Sequence, residues 1–311
     1  MTVERVAVIG AGAMGHGFAV QFARHGREVT LVDHRQSNLD EAAEQIDNVL
    51  AFLEEEGMLA AAPAEVRERI SMTLDRPAGV ADRDLVVETV SEDLDTKHEV
   101  FAGLAEETEN SVLASNTSGL SIADIAEGAP GEAHRIVGCH WWFPPYLLRP
   151  VEVVRGPDTA DWAMERATDF VEAVDRDPVV VQRDAPGFVW NRVQAAVVRE
   201  CLHIVEEDIA SAEDVNRAIR DGYARRTSVI GPLETADVAG LELFQTVVGE
   251  LSPHLSDVEE ASRLFDDNIA AGRGGIDDGA GFFEYDRSPE EITRERDERL
   301  AALGRLLDSE E

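Results

Sequence analysis

The chain has 311 residues, 44% of them hydrophobic, which is enough for two domains with full cores and is ordinary for a globular protein. Its 63 acids against 28 Lys plus Arg give a formal charge of −35, spread along the chain; no basic patch is left to neutralise phosphates, which excludes nucleic-acid binding, and the pattern fits a surface kept hydrated in strong salt, as in a halophilic cytosol. Cys139 and Cys201 make neither a disulfide framework nor a metal-ligand spacing, no apolar run approaches a membrane span, and the first strand starts without a signal peptide, so a cytoplasmic protein with no metal and no membrane partner is expected.

Residues 3–33 read as strand, glycine turn, helix, strand and acid. Val6, Ala7, Val8 and Ile9 suit a strand buried on both faces. Gly10, Gly12 and Gly15 complete G-x-G-x-x-G, with Ala11, Ala13 and Met14 between them. This is the turn that lets backbone approach a pyrophosphate and opens a helix whose unpaired N–H groups face it. The helix is predicted over 13–25, stopped by Gly26. The following strand ends on Asp33, 18 residues after Gly15, where a carboxylate holds ribose hydroxyls and repels a 2′-phosphate. The predicted cofactor is therefore NAD, with Arg35 read as an exposed loop residue.

Helical periodicity covers 37–57, followed by a helical PAEVRERI and a strand-like ISMTL. Further strands are predicted at 84–90, 112–115, 135–140, 151–155 and 179–182, with helices at 94–107, 122–126 and 160–174 between them. Short apolar strands alternating with helices make a mainly parallel sheet covered on both faces. After the DAPGF turn at 184–188 the pattern becomes helical, over 187–209, 212–221, 234–250 and 256–271, with a charged helical tail at 288–311. The fold class is thus α/β: a Rossmann-type doubly wound domain over 1–184 and an all-helical domain over 185–311.

A dinucleotide site needs a group that exchanges a proton as hydride moves. His140 stands at a strand end, on the ligand side of an open α/β sheet, and Glu152 follows 12 residues later on the next strand. A carboxylate against the far ring nitrogen fixes the tautomer and stabilises the imidazolium. The plainer alternatives are a structural strand-end histidine and a surface acid. Ser115, Asn116, Thr117 and Ser118 also follow a strand end, where they serve as polar contacts or as a helix N-cap cluster. Asn191 lies one turn into the first helix of the second domain, pointing to the cleft or to solvent. His16 reads as a packing or surface residue, and Cys139 should face away from His140 by strand alternation. Lys97 is the single lysine of the chain, against 27 arginines.

Taken together, GAGAMG, ETVSEDLDTKHEVF, SNTSGLSI, the His140–Glu152 spacing, APGFVWNR and GRGGIDDGAGFFEY resemble the 3-hydroxyacyl-CoA dehydrogenase family over nearly the whole chain. The resemblance implies NAD-dependent oxidation of a 3-hydroxyacyl-CoA, with His140 as base, Glu152 as its orienting partner, and Ser118 and Asn191 on the substrate oxygen. It places Glu92 and Lys97 in the segment lining the cofactor cleft, with Glu92, Lys97 and Asn116 as cofactor-binding residues, and implies a homodimer through the C-terminal domain. Three departures stand out. Phe143 occupies the position where the family usually has Asn, and Asp277, Asp278 and Gly279 stand where it tends to have K-T-G. The segment 226–243 is closer to members acting on small free hydroxy acids, the gulonate dehydrogenase and lambda-crystallin branch. A dehydrogenase of a free 3-hydroxy acid is therefore the second expectation, and a non-catalytic NAD-binding protein of crystallin type the third.

Overall fold

Apolar runs without alternation form strands covered on both faces, and the computed structural model, which describes residues 3–308, has such strands at its centre. The end of the predicted tail helix, residues 309–311, lies outside the described residues. Eight strands are found among the described residues: β1 (Arg5–Ile9), β2 (Glu28–Val32), β3 (Ile70–Thr73), β4 (Leu85–Glu88), β5 (Val112–Ser115), β6 (Ile136–Trp141), β7 (Pro150–Val154) and β8 (Asp177–Val181). They form one sheet in the order β3-β2-β1-β4-β5-β6-β7-β8. Every pairing is parallel except β6 with β7. That exception follows from chain length, because the loop 142–149 is too short for the crossover a parallel neighbour needs. Sequence order reverses between β1 and β4, which places the ligand crevice at the carboxyl ends of these strands.

The helices that cover this sheet are α1 (Ala13–Arg24), α2 (Gln36–Glu55), α3 (Pro63–Glu68), α4 (Arg76–Val80), α5 (Leu94–Glu107), α6 (Ile122–Ala126) and α7 (Asp161–Ala173). α1 ends as Gly26 allows: it takes φ +80°, its N–H reaches Ala23 O at 3.0 Å, and Arg27 N reaches Phe22 O at 3.1 Å. This double bond back into the last turn satisfies carbonyls the helix would leave open. On the buried face of α1, Phe18 and Phe22 stack at 5.5 Å and meet the edge of Trp141 at 5.3 and 5.4 Å. The helix that opens at the glycine turn is thereby fixed against the strand that carries His140.

Two units make up the chain, the first ending at Arg192 and the second beginning at Val193. α8 (Trp190–Glu206) spans the division. In the second unit the predicted helix over 234–250 is two helices, Pro232–Ala239 and Leu241–Leu251, broken at Gly240, whose φ of +98° suits glycine. The predicted helix over 256–271 is shorter, Arg263–Ala270, because Ser262 Oγ accepts from Leu264 N at 3.1 Å and caps it there. The expected helix over 212–221 keeps its α form over Ala212–Ala218 and widens to a π turn over Ile219–Ala224. No helix among the described residues is long and apolar enough to cross a membrane.

Candidate active site

Antiparallel pairing sets His140 directly opposite Glu152 in the β6·β7 register, so both side chains leave the sheet on one face. His140 Nδ1 lies 2.7 Å from Glu152 Oε2, and the two residues are 5% and 0% exposed. The other carboxylate oxygen, Oε1, accepts from Val189 N at 2.7 Å and Trp190 N at 3.0 Å. Burial pushes the Glu152 carboxyl up, but the His140 hydrogen bond and the two backbone N–H groups outweigh it and hold the group below its ordinary 4.5. An ionised carboxylate only accepts, so Nδ1 must donate, and in the neutral ring the lone pair is then on Nε2. The Phe188 ring stands 5.9 Å from the imidazole.

The turn that supplies those N–H groups is strained. Gly187 has φ +75° and Phe188 φ +48°, a conformation rare for a bulky side chain. The sequence marks it only as a domain-boundary turn; its part in holding Glu152 is silent there, because backbone donors carry no residue signature. Beyond it, Asn191 Nδ2 donates to Ser118 O at 2.6 Å, and Ser118 N donates to Glu92 Oε1 at 2.8 Å. The peptide at Ser118 is held from both sides while the residue itself is exposed. Asn116 Oδ1 accepts from Trp141 N at 2.9 Å, tying the loop after β5 to the residue beside His140. Trp142 and Trp190 stack at 4.0 Å across the same region.

Glu92 and Lys97 are also brought in, through a residue that sequence reasoning passes over. Glu88, at the end of β4 and 0% exposed, receives Lys97 Nζ on both oxygens at 2.8 and 3.0 Å. Lys97 Nζ lies 3.4 Å from Glu92 Oε2. Burial raises the Glu92 carboxyl, but the Thr117 hydroxyl, Gly119 N, Lys97 and Ser118 N together hold it below its ordinary value. The signal for Glu88 is present as an acid closing the apolar run DLVVE nine residues before the lone lysine. Cys139 points the other way: Trp141 Nε1 donates to its Sγ at 3.2 Å, and burial pushes the thiol up to about 12, which suits packing and not nucleophilic attack.

The glycine turn fits a dinucleotide. Gly10 has φ +103°, and a Cβ on Gly15 would lie 1.9 Å from Gly10 O, whereas one on Gly12 would meet nothing within 4 Å. The open space at Gly12 faces the first turn of α1, containing Ala13 and Met14, which has no side-chain cap and no acid. Ala11 N donates to Asp33 Oδ2 at 2.9 Å, and Arg35 N and Asn38 Nδ2 donate to Oδ1 at 2.9 and 3.0 Å. This carboxylate is thus aimed before any ribose arrives. A cavity of ≈ 610 Å³ is lined by Gly10, Gly12, Asp33, Asn38 and Val90 among others. Among the described residues no group of three or more His, Cys, Asp or Glu could hold a metal.

Two family models match the chain: 3-hydroxyacyl-CoA dehydrogenase, NAD binding domain, over residues 5–185, and the C-terminal domain of the same enzyme over 187–285. The chain belongs to the 3-hydroxyacyl-CoA dehydrogenase family. It is an NAD-dependent oxidoreductase of that family, and NAD is its cofactor. A 5-formyl-3-hydroxy-2-methylpyridine 4-carboxylate 5-dehydrogenase from Mesorhizobium japonicum is 31% identical, over 99% of this chain and 100% of its own. The crystal structure of an enzyme of that name, described as an NAD+ dependent dismutase, superposes with a TM-score of 0.91 at 30% identity, covering 99% of each chain. An L-carnitine dehydrogenase from Nocardiopsis dassonvillei is 33% identical over 99% of this chain and 93% of its own. The (S)-3-hydroxybutyryl-CoA dehydrogenase structure from Ralstonia eutropha gives a TM-score of 0.76 at 27% identity, over 92% of this chain and 100% of that one.

Proposed function

We propose that the chain oxidises the hydroxyl of a small, free hydroxy carboxylate, with His140 as general base. Bound NAD supplies the hydride acceptor. His140 Nε2 takes the hydroxyl proton, and Glu152, held ionised by Val189 N and Trp190 N, stabilises the imidazolium that forms. Ser118 Oγ and the Asn191 amide orient the reacting oxygen, while Asn116 steadies the strand end behind them. Glu152 binds no substrate in this scheme; it acts through the imidazole.

The observation that carries the substrate class is the likeness along the whole chain. The relatives named for free carboxylates span 99% of it, one of them with a TM-score of 0.91, against TM-scores of 0.76 over 92% and 0.69 over 98% for two structures named for CoA-ester enzymes. Charge points the same way. A CoA ester carries several phosphate charges, while this chain has a formal charge of −35 and buries its one ammonium, at 1% exposure, between Glu88 and Glu92. An acyl-CoA is the second reading, favoured by the family models themselves. Initial rates of NADH formation with L-carnitine, gulonate and 3-hydroxybutyrate, set against 3-hydroxybutyryl-CoA, separate the two. A free acid should give a kcat/KM at least about tenfold higher, a difference of ~1.4 kcal/mol in transition-state stabilisation. A preference for the thioester overturns the free-acid reading, and turnover of neither class points to the non-catalytic NAD-binding protein.

The second unit supports a homodimer. Val229, Leu233, Val238, Leu241 and Leu243 are each more than half exposed, and helices Trp190–Glu206 and Leu241–Leu251 have no fully buried residue. Apolar surface of this extent on a helical unit is what a second copy covers. Light scattering should give twice the chain mass of 34.0 kDa, and a single-chain mass at micromolar concentration refutes it.

A further inference from the structure

The turn that keeps Glu152 ionised is strained, so groups outside it must hold it in place. Gly187 and Phe188 both have positive φ, which for phenylalanine persists only where the surroundings impose it. Burial supplies part of that hold, since Phe188 belongs to the same apolar cluster as Ile122 and Ile125 of α6. Apolar contact is non-directional, however, and Val189 N and Trp190 N must meet one carboxylate oxygen at 2.7 and 3.0 Å. A directional tie is needed as well.

Asp184, the residue that opens the turn, supplies it. Its Oδ2 accepts from Ser121 Oγ at 2.7 Å and from Ala123 N at 3.0 Å, and its own N–H donates to Arg155 O at 3.1 Å, one residue beyond β7. Ser121 in turn caps α6, its Oγ accepting from Asp124 N at 3.3 Å. The turn is thus fastened at its start to α6 and to the end of the strand that carries Glu152. At its far end Asn191 Nδ2 donates to Ser118 O at 2.6 Å. Gln182, Arg183 and Pro186 are exposed and Ala185 has no polar side chain, so the near end hangs on Asp184.

We infer that Asp184 is a positioning residue, which sets the His140–Glu152 pair by holding the turn at 184–189 against α6. The inference rests on the reading of His140 as general base, but one of its readouts needs no turnover. Removing the Oδ2 acceptor frees the near end of the turn and lets Gly187 and Phe188 relax. Val189 N and Trp190 N then move off Glu152 Oε1. The carboxylate loses two of its three donors, and the imidazole loses the fixed partner that sets its tautomer. Misplacement of such a group by about 1 Å costs on the order of 10²-fold in rate. Both Asp184 side-chain bonds end on one oxygen, so the amide oxygen of asparagine can accept them in its place, and alanine cannot.

The test uses the full chain and the substrate class that turns over best. Asp184→Ala should lower kcat about 10- to 100-fold while KM and the Kd for NADH change less than about threefold. Asp184→Asn should bring kcat back to within about fivefold of the unmodified chain, since a neutral acceptor weakens the two bonds without removing them. The second readout is the proton NMR signal of His140 Nδ1–H without substrate, assigned by its loss in His140→Gln. It should move or vanish in Asp184→Ala and return in Asp184→Asn. A purely structural role gives another pattern: a lower melting temperature, NADH binding and turnover falling together, and an unmoved His140 signal in the folded fraction. That pattern overturns the inference, as does an Asp184→Asn chain no better than Asp184→Ala. An unchanged kcat in Asp184→Ala overturns it too and leaves the dehydrogenase reading standing. If Asp184→Ala fails to fold, Ser121→Ala removes one of the two bonds; the His140 signal should then move by less, and a signal that stays in place overturns the inference. A chain that turns over neither substrate class, yet shows the signal moving in Asp184→Ala and returning in Asp184→Asn, fails the functional reading alone.

Discussion

His140 and Glu152 meet because the antiparallel register places them opposite one another, and Glu152 keeps its charge because three donors converge on it. In the proposed role of His140 as base, the neighbour is what makes it one: without an acceptor at Nδ1 the imidazole can take the other tautomer and present N–H where a lone pair is needed. His140→Gln should lower kcat by about 10²- to 10⁴-fold, the usual range for a lost general base, with NADH affinity retained in fluorescence titration. Glu152→Gln should also lose turnover, and it carries a second signature in stability. The folded-state carboxyl sits below its ordinary 4.5, so the stabilisation it contributes is fully present above that value and is lost as pH falls through the lower folded value. Denaturant unfolding from neutral pH down through this window should show a shallower acid-side loss in Glu152→Gln than in the unmodified chain. Equal slopes in the two proteins would mean that the carboxylate is not held ionised by its three donors.

At the scale of elements, the glycine turn separates two demands that one motif conceals. A Cβ on Gly15 collides with Gly10 O at 1.9 Å, whereas Gly12 has open space for one. Gly15→Ala should therefore destabilise the fold, by about 1–3 kcal/mol as overpacked positions do, and lower the melting temperature. Gly12→Ala should melt like the unmodified chain and raise the Kd for NADH at least about tenfold, because its Cβ fills only the space a pyrophosphate approaches. Calorimetry beside NADH titration separates the two, and a stable Gly12→Ala that binds normally would remove the turn from the cofactor site. This turn was legible in the sequence because glycine spacing and strand periodicity are local. So were the strands β1 to β8, whose apolar runs are short and bounded, and the His140–Glu152 pair, which needs only two neighbouring strands. The APGF turn was harder to read: its contribution is two backbone N–H groups aimed by positive φ at Gly187 and Phe188, and no side chain announces that. Glu88 was missed because a buried acid gains meaning only when Lys97 and Ser115, distant in sequence, close around it. In the second unit, helix periodicity ran straight across Gly240, where a positive φ ends one helix and starts the next.

For the whole molecule, the governing quantity is charge. Sixty-three acids against 28 Lys plus Arg put a formal −35 on one chain, and folding gathers that charge into a smaller volume. Self-repulsion then works against the folded state, most strongly when the screening length is long, about 10 Å at 0.1 M salt and about 3 Å at 1 M. Salt also weakens favourable pairs such as Arg217–Asp214 and Arg294–Glu298. Exposed pairs of this kind are worth only about 0–1 kcal/mol each, and with more than two acids per basic residue most carboxylates have no such partner, so repulsion is the larger effect. The apolar residues at the centre of the sheet lose nothing to added salt. Raising potassium chloride from about 0.1 to about 2 M should therefore raise the melting temperature by roughly 5–10 °C, equivalent to about 3–7 kcal/mol for a chain of this size. Sodium sulfate at matched ionic strength should do at least as well, since it adds exclusion from the protein surface to the same screening. A melting temperature that stays level or falls across the series would mean that the acids are offset locally, and the acidic surface would then have to be explained by solubility alone.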